Sequence, residues 1–153
     1  MVIVGYQGIG KSTLAKNGNG FIDLESSNFF INGERSPDWY IPYCEIALDL
    51  SKQGYDVFVS SHQVVRDYLA YNNIEDLVIV CPAKKLKDRW IAKLGNRYAT
   101  TGLSKDYKAW KNAETRYEEN IDELLNQGGF GYCLIIDSMN YDLELLLHGL
   151  KEN

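Results

Sequence analysis

The sequence lacks the features that mark membrane, secreted or zinc-binding proteins. Its longest apolar runs have the length of strands, so none spans a bilayer. The first residues, MVIVGYQG, lack the basic segment of a signal peptide. The three cysteines, Cys44, Cys81 and Cys133, have neither paired nor zinc-type spacing, which predicts free, buried thiols in a reducing compartment. We therefore expect a cytoplasmic protein with no membrane partner.

Internal repeats, low-complexity tracts and linkers are also absent. The 153 residues suffice for one hydrophobic core. A content of 45% hydrophobic and 24% charged residues is ordinary for a globular domain. These observations predict a single domain over residues 1–153.

The net charge of −5 conceals a basic segment. Residues 84–116 contain ten Lys or Arg residues against three acidic ones, and the rest of the chain is acidic. A nucleic-acid surface usually makes a whole domain basic, so nucleic acid is not the favoured partner. The pattern suits a basic flap that closes over a polyanion. Two solvated helices with basic outer faces are the alternative.

Short apolar runs alternate with helical patterns along the chain. Runs rich in Val, Ile and Phe predict five strands, buried on both faces, at residues 2–5, 21–24, 56–60, 77–81 and 133–137. Helical spacing predicts helices near 11–16, 37–54, 63–71, 86–95, 107–128 and 141–150. The second of these is predicted to have Ser36 as its N-cap, Pro37 as its first residue and Ile41 on its buried face. This alternation predicts an α/β fold, a parallel sheet with helices on both faces.

The most specific motif is a glycine-rich loop after the first predicted strand. Residues 5–12 complete the pattern G-x-x-x-x-G-K-[ST], with a predicted strand before and a helix after it. The glycines let backbone N–H groups turn inward around phosphate oxygens. Lys11 is expected to reach the β- and γ-phosphates of ATP, and the Ser12 hydroxyl to bind Mg²⁺. The predicted nucleotide-binding residues are Gly5, Gly8, Ile9, Gly10, Lys11, Ser12 and Thr13.

Two carboxylates follow the second predicted strand. In an extended chain Asp23 and Glu25 share a face, at the strand end where open α/β sheets bind ligands. There they can bind Mg²⁺ and accept a proton from an attacking hydroxyl group. The prediction makes Asp23 a metal ligand beside Ser12, and the alternative is a pair of solvated turn residues.

With this loop, the order of elements resembles the nucleoside-monophosphate kinase and shikimate kinase group of small P-loop kinases. The resemblance covers nearly the whole chain, although only the loop is a specific motif. It implies a three-layer fold whose five-stranded parallel sheet has the order 2-3-1-4-5. It also implies an acceptor-binding region at about 26–54, a basic lid at about 87–108, and ATP with Mg²⁺ as cofactors.

Further residues match this family by position only. Asp23 and Glu25 fall on the D-x-D pattern of shikimate-type kinases, with Glu in place of the second Asp. Arg89 and Arg97 fall where such kinases have lid arginines, and Arg116 is a third candidate on the far side of the lid. The predicted catalytic residues are therefore Lys11, Asp23, Glu25, Arg89 and Arg97.

The acceptor site is predicted from an aromatic and basic stretch and from the end of the third strand. Trp39 and Tyr43 can stack on a base, while Arg35 or Arg66 can hold a phosphate or carboxylate group. His62 follows the third predicted strand and can bond the acceptor. Simple packing of the aromatic residues and a structural histidine are the alternatives.

Residues 60–62, Ser-Ser-His, stand where nucleotide kinases have an Asp, so Asp23 would have to supply the missing carboxylate. Together these features predict an ATP-dependent kinase of a small acceptor, first of all a nucleoside monophosphate or nucleoside. The alternatives are a kinase of another small hydroxyl compound or of nucleotides in nucleic acid, and a regulatory ATP-binding module.

Overall fold

The computed structural model describes residues 1–72 and 76–151, so residues 73–75 and 152–153 of the predicted domain lie outside it. Its strands are β1 (Val2–Gly5), β2 (Phe21–Asp23), β3 (Asp56–Val59), β4 (Leu77–Pro82) and β5 (Tyr132–Ile136). Its helices are α1 (Lys11–Lys16), α2 (Tyr40–Lys52), α3 (Gln63–Tyr71), α4 (Lys87–Thr101), α5 (Ser104–Leu125) and α6 (Leu143–Lys151).

The five strands form one parallel sheet in the order β2-β3-β1-β4-β5. In its register, Val4 of β1 lies between Val59 of β3 and Ile79 of β4. The predicted α/β class and strand order are thereby confirmed. Because parallel strands end on the same edge, the loops that follow β1, β2 and β3 lie side by side.

The three inner strands are buried, whereas the edge strand β5 is not. Every residue of β1, β3 and β4 is buried, as expected for a sheet covered on both faces. Strand β5 has a single neighbour, and its Ile135 is 49% exposed. Cys44 and Cys81 are buried free thiols, but Cys133 on β5 is exposed. The prediction of burial on both faces is therefore wrong for β5 and holds only at Phe21 in the other edge strand, β2. The prediction of three buried thiols is wrong for Cys133.

Helix α2 begins three residues later than predicted. Residues 36–39 form a turn, in which the Trp39 N–H donates to Ser36 O at 3.0 Å, and the helix starts at Tyr40. Ile41 is exposed, contrary to the prediction. Tyr43 instead lies on the buried side of the helix. Its hydroxyl donates to Leu24 O at 2.6 Å and accepts from the Ser60 N–H at 2.8 Å, which ties the helix to the ends of β2 and β3.

Helices α4 and α5 form a hairpin that includes the predicted lid. The sequence predicts that α4 stops at Gly95, but the helix continues to Thr101 and ends at Gly102, whose φ is 65°. Gly95 instead allows close packing, because a Cβ there would lie 3.0 Å from Trp110 Nε1. The helical backbone of α5 is interrupted at Arg116, with φ −137° and ψ 20°.

Beyond Arg116, the remainder of α5 packs against the sheet. Tyr117, Ile121 and Leu124 are buried, and the Tyr117 hydroxyl donates to Ala83 O at 2.7 Å. The charged outer face of α5 suits a helix at a protein surface. Within residues 1–72 and 76–151, none of the helices has both the length and the apolar character needed to cross a bilayer.

Candidate functional site

The glycine-rich loop joins the end of β1 to the start of α1. Gly8 and Gly10 have φ values of 87° and 110°, a region that other residues rarely adopt. A Cβ on Gly8 would also lie 2.9 Å from Leu94 Cδ2, so α4 packs directly on the loop. The sequence thus has glycine where both backbone conformation and packing require it.

Side chains from distant elements hold two carbonyl groups of this loop. The indole Nε1 of Trp90 donates to Gln7 O at 2.8 Å, and the Tyr141 hydroxyl donates to Ile9 O at 2.8 Å. Because the N–H and C=O of a trans peptide point in opposite directions, these bonds turn the Gly8 and Gly10 N–H groups away from the two aromatic residues.

Lys93 extends this arrangement. Its Nζ donates to the Tyr141 hydroxyl at 3.0 Å and lies 4.5 Å from the centre of the Trp90 ring. The sequence patterns assign none of Trp90, Lys93 and Tyr141 to the site. No local pattern identifies these contacts, since Trp90 and Gln7 are 83 positions apart.

Lys11 lies close to the acidic pair. Its Nζ donates to Gly5 O at 3.1 Å. Burial lowers the pKa of Lys11, and the carboxylates of Asp23 and Glu25 partly oppose this effect. Burial also raises the pKa of Asp23, and the Lys11 charge partly opposes it. Glu25 accepts a hydrogen bond from Ser27 Oγ at 3.0 Å and lies 3.8 Å from Lys105 Nζ.

Two clefts meet at the acidic pair. The loop cleft, of about 1060 Å³, is lined by the glycine-rich loop, the start of α1 and residues 139–144. The polar cleft, of about 500 Å³, lies towards the ends of β2 and β3 and includes Lys11, Arg35, His62 and Lys108. Asp23, Glu25 and Lys105 line both clefts. A group bound in either cleft would therefore face the same two carboxylates.

Of the two arginines predicted for a lid, Arg97 lies beside the acidic pair. It lines the loop cleft, and its Nε lies 3.1 Å from Oδ1 of Asp106, a side chain that is only 4% exposed. The second oxygen of Asp106 accepts a hydrogen bond from Thr101 Oγ1. Asp106 is thus fixed at the turn of the α4–α5 hairpin and in turn orients Arg97. The sequence analysis missed Asp106, for which the only signal is an acidic residue within a basic segment.

Lys93, Lys105 and Lys108 also line the clefts, but several other basic residues of segment 84–116 do not. Arg89 is exposed on α4 and lines neither cleft among the described residues. Arg116 pairs with Glu119 and Glu123 of its own helix, at 3.3 and 3.2 Å. Lys84, Lys87 and Lys111 also pair with carboxylates of α5. Much of the positive charge of segment 84–116 is therefore compensated locally.

The predicted aromatic residues pack inward. Trp39 and Tyr43 are buried, and neither lines the polar cleft in the described part of the chain. Arg35 does line it, with its guanidinium carbon 4.1 Å from the Trp39 ring centre and 4.4 Å from that of Phe30. Phe30, which is 47% exposed, is the aromatic residue at this surface, although the sequence analysis did not select it.

The structure separates the two residues predicted after β3. His62 lines the polar cleft, with Nδ1 2.8 Å from Ser60 Oγ. Burial and then the positive charges of Arg35 and Lys11 lower the pKa of His62. Arg66 is only 5% exposed, and its guanidinium donates to Ser61 O at 2.9 Å and to Gln127 Oε1 at 2.7 Å. Arg66 therefore fastens α3 to the end of α5 through its Nε and Nη1 donors, and its Nη2 lies 3.7 Å from the Glu123 carboxylate.

Ser12 and Asp23, the predicted metal ligands, both line the loop cleft. Within residues 1–72 and 76–151, no group of three or more His, Cys, Asp or Glu side chains is placed to hold a metal ion. Mg²⁺ commonly uses only one or two protein carboxylates and takes its remaining ligands from phosphates and water. The residues present thus fit a magnesium ion that arrives with a nucleotide.

Comparison with known proteins supports the fold alone. No protein-family model and no curated protein matches the sequence. Among solved structures, the chain is similar to an uncharacterised protein from Eubacterium ventriosum ATCC 27560, with 12% identity and a TM-score of 0.51. That match covers 99% of this chain and 97% of the other. At this identity the likeness extends to the architecture of a parallel sheet with surrounding helices.

Proposed function

We propose that this protein is an ATP-dependent phosphotransferase that acts on a small acceptor, first of all a nucleoside monophosphate or nucleoside. One observation carries the proposal. Asp23 and Glu25 lie where the loop cleft meets the polar cleft, beside Lys11 of the glycine-rich loop. A kinase needs such a junction, because the donor phosphate must meet the acceptor oxygen, which is a phosphate oxygen of a nucleoside monophosphate or a hydroxyl of a nucleoside, at groups that manage charge and protons.

The residues of the loop cleft fit a nucleoside triphosphate. Gly8 and Gly10 have the backbone conformations that a phosphate-binding loop requires, with Lys11 and Ser12 directly after them. Loop N–H groups and Lys11 would hold the phosphates, Ser12 would bind Mg²⁺ directly, and Asp23 would reach the ion through a water molecule, which leaves its carboxylate free to act as a base. When bound, MgATP supplies the transferable phosphoryl group and a divalent charge beside it.

Asp23 and Glu25 are the groups available to manage the acceptor hydroxyl. When the acceptor is a nucleoside, a carboxylate at this junction can accept the hydrogen bond of its hydroxyl, orient the oxygen, and take the proton. The ionised phosphate of a nucleoside monophosphate needs no such base. Burial raises the pKa of Asp23, which makes it a stronger base than an ordinary exposed aspartate. In this arrangement Asp23 takes the proton, while Glu25 remains hydrogen-bonded to Ser27.

Positive charge for the reacting phosphoryl group comes from Lys11 and Arg97. Asp106 holds the Arg97 side chain at the loop cleft, so little reorganisation is needed during the reaction. The α4–α5 hairpin packs against the loop through Leu94 and Trp90 and restricts the access of water from that side.

The polar cleft supports an acceptor that carries an anionic group. Arg35, Lys105 and Lys108 line it together with Lys11. An acceptor phosphate or carboxylate would be attracted there, and the exposed ring of Phe30 offers a surface for stacking. Local pairing of Lys84, Lys87 and Lys111 makes a long nucleic acid a less suitable acceptor.

The test is a panel of nucleoside monophosphates, nucleosides, shikimate and a short oligonucleotide with MgATP, followed by ADP release and phosphorus NMR. Lys11→Ala is the inactive variant, and Lys52→Ala at the exposed end of α2 is its matched control. Acceptor-dependent ADP release that disappears only in Lys11→Ala is expected. Tight ATP binding without transfer to any acceptor would instead favour a regulatory nucleotide-binding module.

A further inference from the structure

A small space lies where the loop cleft and the polar cleft meet, and we call it the junction space. Its volume is about 170 Å³, and its walls come from the glycine-rich loop, the acidic pair and the α4–α5 hairpin. Lys105, the second residue of α5, lines this space and both clefts. Among the described residues it is the only Lys or Arg common to all three, because Lys11 does not line the loop cleft and Arg97 does not line the polar cleft.

The charges that line the junction space are balanced only when Lys105 is counted. The space is lined by three basic and three acidic side chains, namely Lys11, Arg97, Lys105, Asp23, Glu25 and Asp106. Without Lys105 the carboxylates would outnumber the cations, and their negative charge would oppose the entry of a phosphate group. Arg89, the other arginine predicted for the lid, does not line this space in the described part of the chain and so does not change the balance.

Glu25 holds the ammonium group of Lys105 only weakly. Lys105 Nζ lies 3.8 Å from Glu25 Oε1, and the two side chains are 56% and 42% exposed. Ion pairs at such exposure contribute little, because water screens the charges and two flexible side chains must be held still. The other oxygen of Glu25 accepts a hydrogen bond from Ser27 Oγ at 3.0 Å, so this carboxylate keeps a partner when Lys105 moves. Lys105 can therefore turn from Glu25 to a phosphate group at little cost.

The backbone of Lys105 is fixed by the next residue, Asp106. The Asp106 carboxylate is buried and bonded to Thr101 Oγ1 and Arg97 Nε, which closes the turn between α4 and α5. The same turn thus supplies two cations to the junction space, Arg97 through its pair with Asp106 and Lys105 directly. Burial raises the pKa of Asp23, and the charges of Lys11 and Lys105 oppose that rise. The Lys105 charge therefore acts on both members of the acidic pair.

We infer that Lys105 is a further catalytic residue of the proposed phosphotransferase, and that its ammonium group contacts the phosphoryl group in transit between the two clefts. During transfer the bond to the ADP oxygen breaks as the bond to the acceptor oxygen forms, and negative charge lies on three equatorial oxygens. Lys11 from the loop, Arg97 from α4 and Lys105 from α5 donate hydrogen bonds to these oxygens, and Lys105 keeps its protons throughout. The inference rests on the proposed function, since it adds a residue to that reaction.

Steady-state kinetics of Lys105→Met, Lys105→Arg and Lys111→Met test this role. Lys105→Met should lower kcat about 10²-fold, as removal of one transition-state donor does, with little change in the KM for MgATP. Lys105→Arg should stay within about tenfold of the wild type, because it keeps the charge. The control Lys111 lies on the same helix, is 45% exposed and pairs with Glu114 at 2.9 Å, but lines none of the three spaces in the described structure. Lys111→Met should therefore keep the wild-type kcat.

A binding experiment separates the role of Lys105 from turnover and from stability. Calorimetry measures the Kd of MgADP with and without aluminium fluoride, which takes the place of the phosphoryl group in transfer. The fluoride should tighten the binding of MgADP to the wild type. Lys105→Met should lose about tenfold of that gain, as loss of one hydrogen bond does. Its Kd for MgADP alone and its melting temperature should stay unchanged, because the weak pair with Glu25 is all that the fold loses.

The outcomes separate this inference from the proposed function. An unchanged kcat in Lys105→Met, an equal loss in Lys111→Met, or a higher KM for the acceptor with unchanged kcat would overturn the inference and leave the kinase proposal intact. A lower melting temperature together with weaker binding of MgADP alone would make Lys105 structural and also overturn it. If the fluoride gain depends on Lys105 but no acceptor becomes phosphorylated, the contact stands and the kinase proposal fails. If the wild type shows neither the fluoride gain nor transfer to an acceptor, both fail.

Discussion

At the scale of single residues, the site depends on charged groups that other side chains hold in place. Arg97 is 41% exposed, and a free arginine side chain at such exposure would sample many rotamers. The buried carboxylate of Asp106 restricts it to one position at the loop cleft. Asp106 is therefore a positioning residue whose effect on the reaction passes through Arg97.

Replacement of Asp106 by Asn should lower kcat about tenfold while the KM for ATP changes little, because Arg97 loses its orientation but not its charge. Arg97→Ala should lower kcat about 10²-fold or more, as removal of a transition-state donor does. In the double variant the two effects should not add, since the residues act as one unit. Steady-state kinetics of the four proteins check this, with exposed Asp49→Asn as control. Additive losses would show that Asp106 acts independently of Arg97.

Because the pKa of Asp23 is raised, activity and stability should change in opposite directions as the pH rises. As a base Asp23 must be ionised, so kcat/KM should rise with pH along a limb that lies above the ordinary value of 3.8. The folded state keeps this proton longer than the unfolded state does. The free energy of unfolding should therefore fall as pH rises from 3.8 through the folded-state pKa.

With an acceptor that reacts through a hydroxyl group, Asp23→Asn should lower kcat about 10²-fold to 10⁴-fold, the usual contribution of a general base. It should also raise the free energy of unfolding at neutral pH, because the buried negative charge is gone. Urea unfolding at several pH values, beside the kinetics, measures both effects. A variant that is less stable than the wild type at neutral pH would contradict the assigned direction of the pKa.

At the scale of elements, the α4–α5 hairpin is placed by close packing at Gly95. Alanine in a helix interior is ordinarily more stable than glycine by about 1 kcal/mol. At Gly95 the added Cβ would lie 3.0 Å from Trp110 Nε1 and 3.1 Å from Cε2. Trp110 cannot easily yield, since Tyr98 stacks on it and Lys111 Nζ lies 4.0 Å from its ring centre.

Gly95→Ala should therefore destabilise the protein by about 1 kcal/mol or more, as overpacking does. The matched substitution Gly149→Ala in α6, where a Cβ meets no atom within 4 Å, should stabilise it by about 0.5–1 kcal/mol. Denaturant unfolding of the two variants gives opposite signs if the packing argument holds. Stabilisation in both would mean that α4 and α5 move apart at little cost.

Helix α4 also holds the glycine-rich loop through the Trp90 indole. Trp90→Phe keeps an aromatic ring but leaves Gln7 O without its donor at 2.8 Å. Binding of MgATP should weaken about fivefold to tenfold, corresponding to about 1 kcal/mol for one lost hydrogen bond to the loop. Calorimetry of the variant measures this change, with Tyr71→Phe, at a side chain 88% exposed, as control. Equal MgATP affinities in Trp90→Phe and the wild type would show that the Trp90–Gln7 hydrogen bond does not contribute to nucleotide binding.

At the scale of the whole molecule, the sequence predicts the fold class and the strand order better than it predicts the side-chain contacts between elements. Periodicity and the resemblance to small kinases predict the α/β class and the strand order, and local rules place the loop glycines. The role of Arg66 is not predictable in this way, because its partner Gln127 lies 61 positions away. The bond of Trp90 to Gln7 and the continuation of α4 past Gly95 likewise depend on tertiary packing, which no local pattern encodes.

The proposed activity also predicts how the entire domain responds to its nucleotide. A ligand that binds only the folded state at a concentration of about 100 times its Kd adds about 2.7 kcal/mol to the free energy of unfolding. For a domain of this size that corresponds to a rise of about 5–10 °C in the melting temperature. MgATP should produce this shift in the wild type and in Lys52→Ala, but not in Lys11→Ala, which lacks the ammonium group beside the loop. An equal shift in all three proteins would place the nucleotide outside the loop cleft. No shift at any MgATP concentration would exclude the cleft as a nucleotide site, since tight binding to the folded state cannot occur without stabilising it.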